Sequence, residues 1–317
     1  MSRPPSNPAS GILLVDKPQG ITSHDVVARA RKFVGTRKVG HAGTLDPMAT
    51  GLLVLGVNSS TRLLTWVVGL DKEYTATIRL GAATNTDDAE GELGERADAD
   101  AMDRVTDQSI AAGVLALTGP ILQRPSSVSA IKVDGKRAYT LARAGEDVVL
   151  AERPVTISAF EVVRVRRVST SSTTETVSTG STTEFVDIDV RVECSTGTYI
   201  RALARDLGAA LGVGGHLTVL RRTRIGPFSV VDATDLDETL PTHLIPPAEV
   251  ATRLFARVDL TADEAADLGN GKRIALAGAA SGPIAAIAPD GRLVGLVENV
   301  DGRARVLVNF PPDSVAQ

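Results

Sequence analysis

The chain has 317 residues, of which 43% are hydrophobic and only 3% aromatic. That is long enough for one large domain plus a small one with a sizeable core, and too poor in aromatics for broad base-stacking platforms. One cysteine excludes an internal disulfide, and none of the four histidines has a Cys or His partner at zinc-ligand spacing.

Residues 1–10, M-S-R-P-P-S-N-P-A-S, lack the apolar core of a signal peptide and read as a disordered tail. No run of about 18 apolar residues occurs, so no membrane-spanning helix is expected and a cytoplasmic location follows. G-I-L-L-V-D-K-P (11–18) reads as a strand ending in a Pro turn. Residues 22–34 read as an amphipathic helix capped by Thr22 or Ser23. Its Val26, Val27, Ala30 and Val34 share one face, and Arg29, Arg31 and Lys32 point mostly outward. A shaped loop follows, then a buried strand (51–57), a capped helix (59–68) and a half-buried strand (72–81). On that last strand Tyr74, Ala76, Ile78 and Leu80 alternate onto one face.

T-N-T-D-D-A-E-G-E (84–92) reads as an acidic loop with solvated carboxylates, since it lacks full calcium-loop spacing. A helix is expected over 107–118. Residues 123–145 are basic, with a D-G turn at Asp134–Gly135, and read as a hairpin followed by a helix or as a charged flap over a polyanion. Alternating strands at 154–168 and 184–194 flank a low-complexity Ser/Thr tract, 169–183, which reads as a mobile loop. Residues 195–211 run from a strand end into a helix with Tyr199 and Arg201 near its first turn. A Gly-rich stretch then leads into a strand with an Arg cluster (212–226). A Pro-containing boundary at 241–247 precedes short Gly-punctuated strands that read as a small β-barrel-like module. Strands and helices alternate without βαβ rhythm, so the fold class is α+β with a mixed or antiparallel sheet.

The net charge of −4 is unevenly spread. Residues 10–80 hold 9 Lys and Arg against 5 Asp and Glu, and 124–224 hold 15 against 11. Residues 84–110 hold 2 against 9, and 225–317 hold 7 against 13. The motif-bearing blocks are the basic ones, and local charge governs polyanion binding more than the total does.

Residues 40–53, G-H-A-G-T-L-D-P-M-A-T-G-L-L, carry one carboxylate, Asp46, among Gly40, Gly43 and Gly51. Glycines admit positive φ and close backbone approach, so this reads as a loop shaped around a bulky ligand. Asp before Pro is also a helix start, with Asp46 as N-cap and Pro47 as the first helical residue. Spacing leaves catalysis and capping both open. The loop lacks the G-K-[ST] ending of a phosphate-binding P-loop. Cys194 has no nearby His in sequence and reads as a small buried residue.

K-P-Q-G-I-T-S (17–23), G-H-A-G-T-L-D-P-M-A-T-G-L-L-V-L (40–55), D-K-E-Y-T-A-T-I-R-L-G (71–81), C-S-T-G-T-Y-I-R-A-L-A-R-D-L-G (194–208) and G-G-H-L-T-V-L-R-R (214–222) occur in order. Together they resemble the TruB family of bacterial tRNA pseudouridine-55 synthases, from about residue 11 to 230. The C-terminal module is similar to a PUA domain. The resemblance implies a pseudouridine synthase fold, with a mainly antiparallel central sheet flanked by helices and a small PUA-like barrel. It implies a catalytic domain over 11–245, with a thumb-like insertion at about 123–153 and a flexible loop at 169–183, and an RNA-binding domain over 250–317.

The resemblance also implies the chemistry. A uridine in the tRNA T-loop loses its N1–C1′ bond, the uracil turns, and C5 joins C1′, with no cofactor. Asp46 matches the catalytic aspartate, acting on sugar or base covalently or removing the C2′ proton. Burial would raise the pKa of such a carboxylate, so it needs a cation. Arg201 matches the arginine that pairs with it. Tyr74 matches the tyrosine lying against the uracil and implicated in loss of the C5 proton. The target base must be flipped out, at a cost of a few kcal/mol. His41 matches the residue filling the vacated space, Tyr199 and Leu220 match substrate-contacting positions, and Lys17 supports the loops. Read singly, Arg201 is a surface helix arginine, Tyr74 and Leu220 are core, and His41 is a loop residue bonded to backbone. The implied partner is the tRNA T-arm, and the chain is taken as a monomer. Two other readings stay open: a non-catalytic RNA-binding or RNA-folding factor, and a glycoside hydrolase. The latter usually needs a second acid, and residues 26–70 contain no other Asp or Glu.

Overall fold

The computed structural model describes residues 9–126, 132–133, 136–137, 150–169, 183–276 and 282–312. Most of the expected tail (1–8), the Asp134–Gly135 turn, most of the 123–153 insertion and the Ser/Thr tract at 170–182 lie outside these residues. Ser10, assigned to the tail, is buried, because its Oγ accepts hydrogen bonds from Ser59 N (3.1 Å) and Ser59 Oγ (2.8 Å).

The chain divides into two units, Met1–Gly69 with Arg224–Gln317, and Leu70–Thr223. In the first, β1 (Gly11–Lys17) leads to α1 (Ser23–Val34), β2 (Val39–Ala42), β3 (Thr50–Val57) and the short α2 (Leu64–Val68). The Thr22 hydroxyl accepts from Asp25 N, and Asp25 returns a bond to the Thr22 backbone. This capping box also holds the Asp25 carboxyl below its usual range, first through the Thr22 hydroxyl and then through its N–H. Gly35, at φ 77°, ends the helix. The predicted face Val26, Val27, Ala30 and Val34 packs into one cluster with Leu13, Val15, Leu53, Leu55 and Leu240. β3 pairs antiparallel with both β1 and β2. The outer edge of β1 is closed by the returning chain: Ile12 and Ile245 exchange backbone bonds of 2.9 and 2.8 Å, and Thr234 bonds to Leu14 and Asp16.

The helix expected at 59–68 begins instead as a 3-10 turn, Asn58–Leu63, with no side-chain cap. Ser59 is engaged by Ser10, and Asn58 sits at φ 53°, so neither starts an α-helix.

The second unit contains β4 (Lys72–Leu80), β5 (Ala82–Thr84), β6 (Leu93–Arg96), α3 (Ala99–Asp103), α4 (Asp107–Ala116), β7 (Gly119–Gln123), the hairpin strands β8 (Lys132–Val133) and β9 (Lys136–Arg137), β10 (Arg153–Ser169), β11 (Thr183–Cys194), α5 (Ile200–Ala210) and most of β12 (Gly215–Ile225). Its main sheet runs β12-β4-β11-β10-β7, with β4–β11, β11–β10 and β10–β7 antiparallel. Alternation splits β4 and β11 into two faces. Tyr74, Ala76, Ile78 and Leu80 lie opposite Val192, Val190, Ile188 and Val186 on the buried face. The other face is a ladder of charge pairs. Arg79 grips Asp187 (2.7 and 2.8 Å), Arg166 grips Asp189, which also accepts from Thr77, and Arg191 bonds Glu73 and Glu161.

After β13 (Phe228–Ser229), the chain in the first unit forms α6 (Pro247–Leu254), β14 (Ala256–Asp259), α7 (Ala262–Gly269), β15 (Ile284–Ile287), β16 (Leu293–Val300) and β17 (Arg303–Asn309). Among the described residues these four strands form one separate C-terminal sheet, β14-β15-β16-β17, at the place of the expected C-terminal β module. The β14–β15 pair is parallel and the others antiparallel, and the β17 edge is extended by Ile274–Leu276, where Ala275 bridges Arg303. Leu260, Leu268, Ile284, Val294 and Val297 form its core.

The helix α5 packs against β4. Gly208 on α5 meets the Gly214–Gly215 turn so closely that an added Cβ would lie 2.2 Å from Gly215 N and 2.3 Å from Gly214 C. Backbone cannot yield there as a flexible side chain would. Gly208→Ala is expected to destabilise the protein by roughly 1–3 kcal/mol, read as a lower urea midpoint at an unchanged slope. An unchanged midpoint would show that the helix shifts freely.

Candidate active site

The candidate residues fall in two groups, with Lys17, His41 and Asp46 in the first unit and Tyr74, Tyr199, Arg201 and Leu220 in the second. In the first, Lys17 ends β1 with its side chain wholly buried. Its ammonium donates to the carbonyls of Pro18 (2.9 Å), Ile21 (2.8 Å) and Pro47 (3.3 Å). Gly20 N also donates to Pro47 O (2.8 Å). On the other side of Asp46, buried Ser23 Oγ accepts from Leu45 N (2.9 Å) and donates to Leu45 O (3.2 Å). Both neighbours of Asp46 are thus tied to the β1–α1 connection.

Asp46 itself does not cap a helix. Its carbonyl accepts from Ala49 N at 3.1 Å, closing a β-turn with Pro47 in the second position. The chain must be extended by Thr50, because Gly51 pairs with Lys17 across β1 and β3, and this leaves no room for a helical turn. Gly43 (φ 80°) and Gly51 (φ 100°) take the positive values expected of the loop. The Asp46 residue is half-buried. His41, on β2, meets His24 of α1 edge to face at 5.6 Å.

In the second unit Tyr74 is buried on β4 and Leu220 is buried on β12. Tyr199 is the N-cap residue of α5, and buried Gln123 grips its backbone in both directions: Gln123 Nε2 donates to Tyr199 O (3.0 Å), and Tyr199 N donates to Gln123 Oε1 (2.8 Å). Arg201, in the first turn, is only 4% exposed. Its Nη1 donates to Thr86 O (3.0 Å) and Asp88 Oδ2 (3.1 Å). It is no surface arginine.

The solvated-loop expectation for 84–92 is therefore corrected at two positions. Glu90 and Glu92 are exposed, but Asp87 and Asp88 are buried. Asp88 accepts from Thr86 Oγ1 (2.6 Å) and Glu90 N (3.0 Å) besides Arg201. Asp87 meets Arg205 Nη1 at 3.3 Å. The buried Arg201 and half-buried Arg205 guanidinium groups require partners, and these carboxylates supply them. Asp87, Asp88, Arg205 and Gln123 were not singled out from the sequence, and Ser23 was read only as a possible helix cap. The one available signal was Arg201 and Arg205 spaced i,i+4 on a helix, demanding acids from elsewhere.

Lys72 lies two residues before Tyr74 and is buried, opposite Cys194 on β11. Its Nζ donates to Leu70 O at 2.5 Å. Burial lowers its pKa to about 8, with Arg222 adding to the effect and Cys194 and Asp71 opposing it. Cys194 is buried, as expected. Among the described residues no group of three or more His, Cys, Asp or Glu is placed to hold a metal ion, and no helix is long and apolar enough to cross a membrane.

A family model described as TruB family pseudouridylate synthase (N terminal domain) matches residues 31–200. Two more, tRNA pseudouridylate synthase B C-terminal domain and tRNA Pseudouridine synthase II, C terminal, match 201–251 and 255–311. The chain belongs to the TruB family. It is a pseudouridine synthase. The tRNA pseudouridine synthase B of Leifsonia xyli subsp. xyli is 59% identical over 311 residues, covering 97% of this chain and 98% of that protein. The protein of the same name from Arthrobacter sp. is 53% identical, covering 96% and 98%. The fold is also that of a chain in the crystal structure of a Cbf5-Nop10-Gar1 complex, with a TM-score of 0.66 at 24% identity, covering 96% of this chain and 85% of that one.

Ser23→Ala leaves the buried Leu45 N–H without its partner. We expect a loss of about 1–3 kcal/mol of stability and slower turnover, measured by urea unfolding and by product formation at saturating RNA. Unchanged turnover would show that Leu45 does not brace Asp46. For Lys72, the folded protein releases the proton at a lower pH than the unfolded chain does. Between about pH 8 and the ordinary value of 10.5 the unfolded chain holds more protons, so stability rises with pH in that window. Unfolding free energy relative to Lys72→Met is expected to climb over that range and to stay flat below it. A flat difference throughout would show that Lys72 is not buried as an amine.

Proposed function

We propose that the chain isomerises a uridine of the tRNA T-loop, at position 55, to pseudouridine, with Asp46 as the catalytic carboxylate. What carries this reading is Asp46 itself, the only acid between Asp25 and Asp71 and held by its neighbours at a β-turn inside the family's G-H-x-G-x-L-D-P sequence. The names of the relatives support tRNA as the substrate. Asp46 acts on the ribose or the base, the N1–C1′ bond breaks, and the uracil turns to present C5. C5 then bonds C1′ and gives up its proton, with Tyr74 as the group implicated in that last transfer. Arg201 supplies the positive charge that keeps the carboxylate ionised under RNA. His41 fills the space left by the flipped base, and Tyr199 and Leu220 contact the substrate. The basic 123–153 segment clamps the T-arm and the C-terminal module adds RNA contact. The enzyme works as a cytoplasmic monomer without a cofactor.

The test is tritium release from tRNA transcribed with [5-³H]uridine, since only substitution at C5 frees the label. Wild type is expected to release about one equivalent per tRNA, the order set by one target uridine in one loop, and Asp46→Ala none. Tight, salt-sensitive tRNA binding without release by wild type would favour the RNA-folding reading.

A further inference from the structure

The segment between β7 and β10 leaves and re-enters the sheet at adjacent points, with Gln123 paired to Arg153 and Arg124 bridged to Glu152 at 3.3 Å. Three residues at its root reach one place. Gln123 holds the Tyr199 backbone. The Arg124 carbonyl accepts from Arg205 Nη2 at 2.8 Å. Ser126 Oγ donates to Thr86 O at 3.3 Å, the same carbonyl that accepts from Arg201. Ser126 also hydrogen-bonds the Asp87 carboxyl.

Asp87 has φ 62°, a left-handed conformation that Asp tolerates better than most residues. That step turns two adjacent carboxylates to two different arginines, Asp88 to Arg201 and Asp87 to Arg205. The arginines are one helical turn apart on α5. Burial pushes the Asp87 carboxyl above its usual range, although Arg205, Ser126 and Arg201 oppose this. Arg205 is itself divided among Asp87, Asp206 and the Arg124 carbonyl.

We propose that Asp87 and Arg205 are positioning residues, which lock the root of the 124–152 segment to the turn that grips Arg201 and so fix where its guanidinium stands during catalysis. The inference rests on the catalytic reading of Arg201. Neither residue is assigned contact with the substrate. Their role is to hold Thr86 and Asp88 in register, because a catalytic charge displaced by about 1 Å loses up to 100-fold in rate.

The experiment measures single-turnover tritium release at saturating tRNA, alongside tRNA affinity at several salt concentrations. It compares wild type, Arg201→Lys, Arg205→Met, Ser126→Ala and the double variant of the last two. Arg205→Met is expected to slow release about 10-fold, a fraction of that displacement limit, with affinity and its salt slope unchanged. The double variant is expected to be no slower than Arg205→Met, since both changes break one link. Ser126→Ala is too small a change to unfold the chain. If Arg205→Met does not fold, Ser126→Ala alone decides, by slowing release at constant affinity or not. A normal rate for the foldable variants overturns the proposal. So does weaker binding with a flatter salt slope in Arg205→Met, which would make Arg205 a phosphate contact. If Arg201→Lys slows release while the others do not, only this inference falls. If Arg201→Lys is itself at the wild-type rate, the catalytic reading of Arg201 falls and the inference with it.

Discussion

A wholly buried ammonium governs the Asp46 loop. Taking a charge out of water costs several kcal/mol even after relaxation, and Lys17 meets that cost with three backbone carbonyls drawn from the two ends of one connection and from Pro47. Hydrogen bonds to a charged group are worth roughly 1.5–3 kcal/mol each, so the carbonyls are held where they are. Lys17 is also the last residue of β1, in register with Gly51. The core behind β1 therefore sets the place of the ammonium, and the ammonium sets the place of Pro47. Ser23 does the same for Leu45 from the start of α1. A single acid between two such anchors is preorganised without needing a helix to present it.

The second unit solves a similar problem with the opposite sign of group on the loop. Arg201 carries five guanidinium N–H donors and no acceptor, and it is almost fully buried, so it demands a carboxylate and carbonyls around it. Asp88 and Thr86 provide them, and Thr86 also bonds Asp88 through its hydroxyl. These bonds make the arginine's position a property of the loop more than of solvent.

Much of this was legible in the chain. The spacing of Val26, Val27, Ala30 and Val34 gave α1 its face, and alternation around Tyr74 gave β4 its buried side, because periodicity reports burial directly. The Asp46 stretch was recognisable as a shaped loop from its glycines. What failed were features that depend on distant partners. Asp87 and Asp88 look solvated in a polar run, and only the arginines of α5, more than a hundred residues on, bury them. The capped helix expected at 59–68 starts as a 3-10 turn because Ser59 bonds Ser10. The C-terminal strands were visible by composition, while the order in which they pair is set by contacts that no local pattern encodes. Gln123, a buried amide serving one backbone residue, carries no sequence signal at all.

The charge ladder on β4, β10 and β11 bears on how the protein meets a polyanion. Affinity for nucleic acid grows when free cations displace the ions condensed on phosphates. Arg79, Arg166 and Arg191 are already paired with Asp187, Asp189 and Glu73, so they have less free charge to offer a phosphate. That face is rich in arginine, yet its arginines carry little uncompensated charge. Counterion release on this chain then depends more on its other faces than on its broadest sheet.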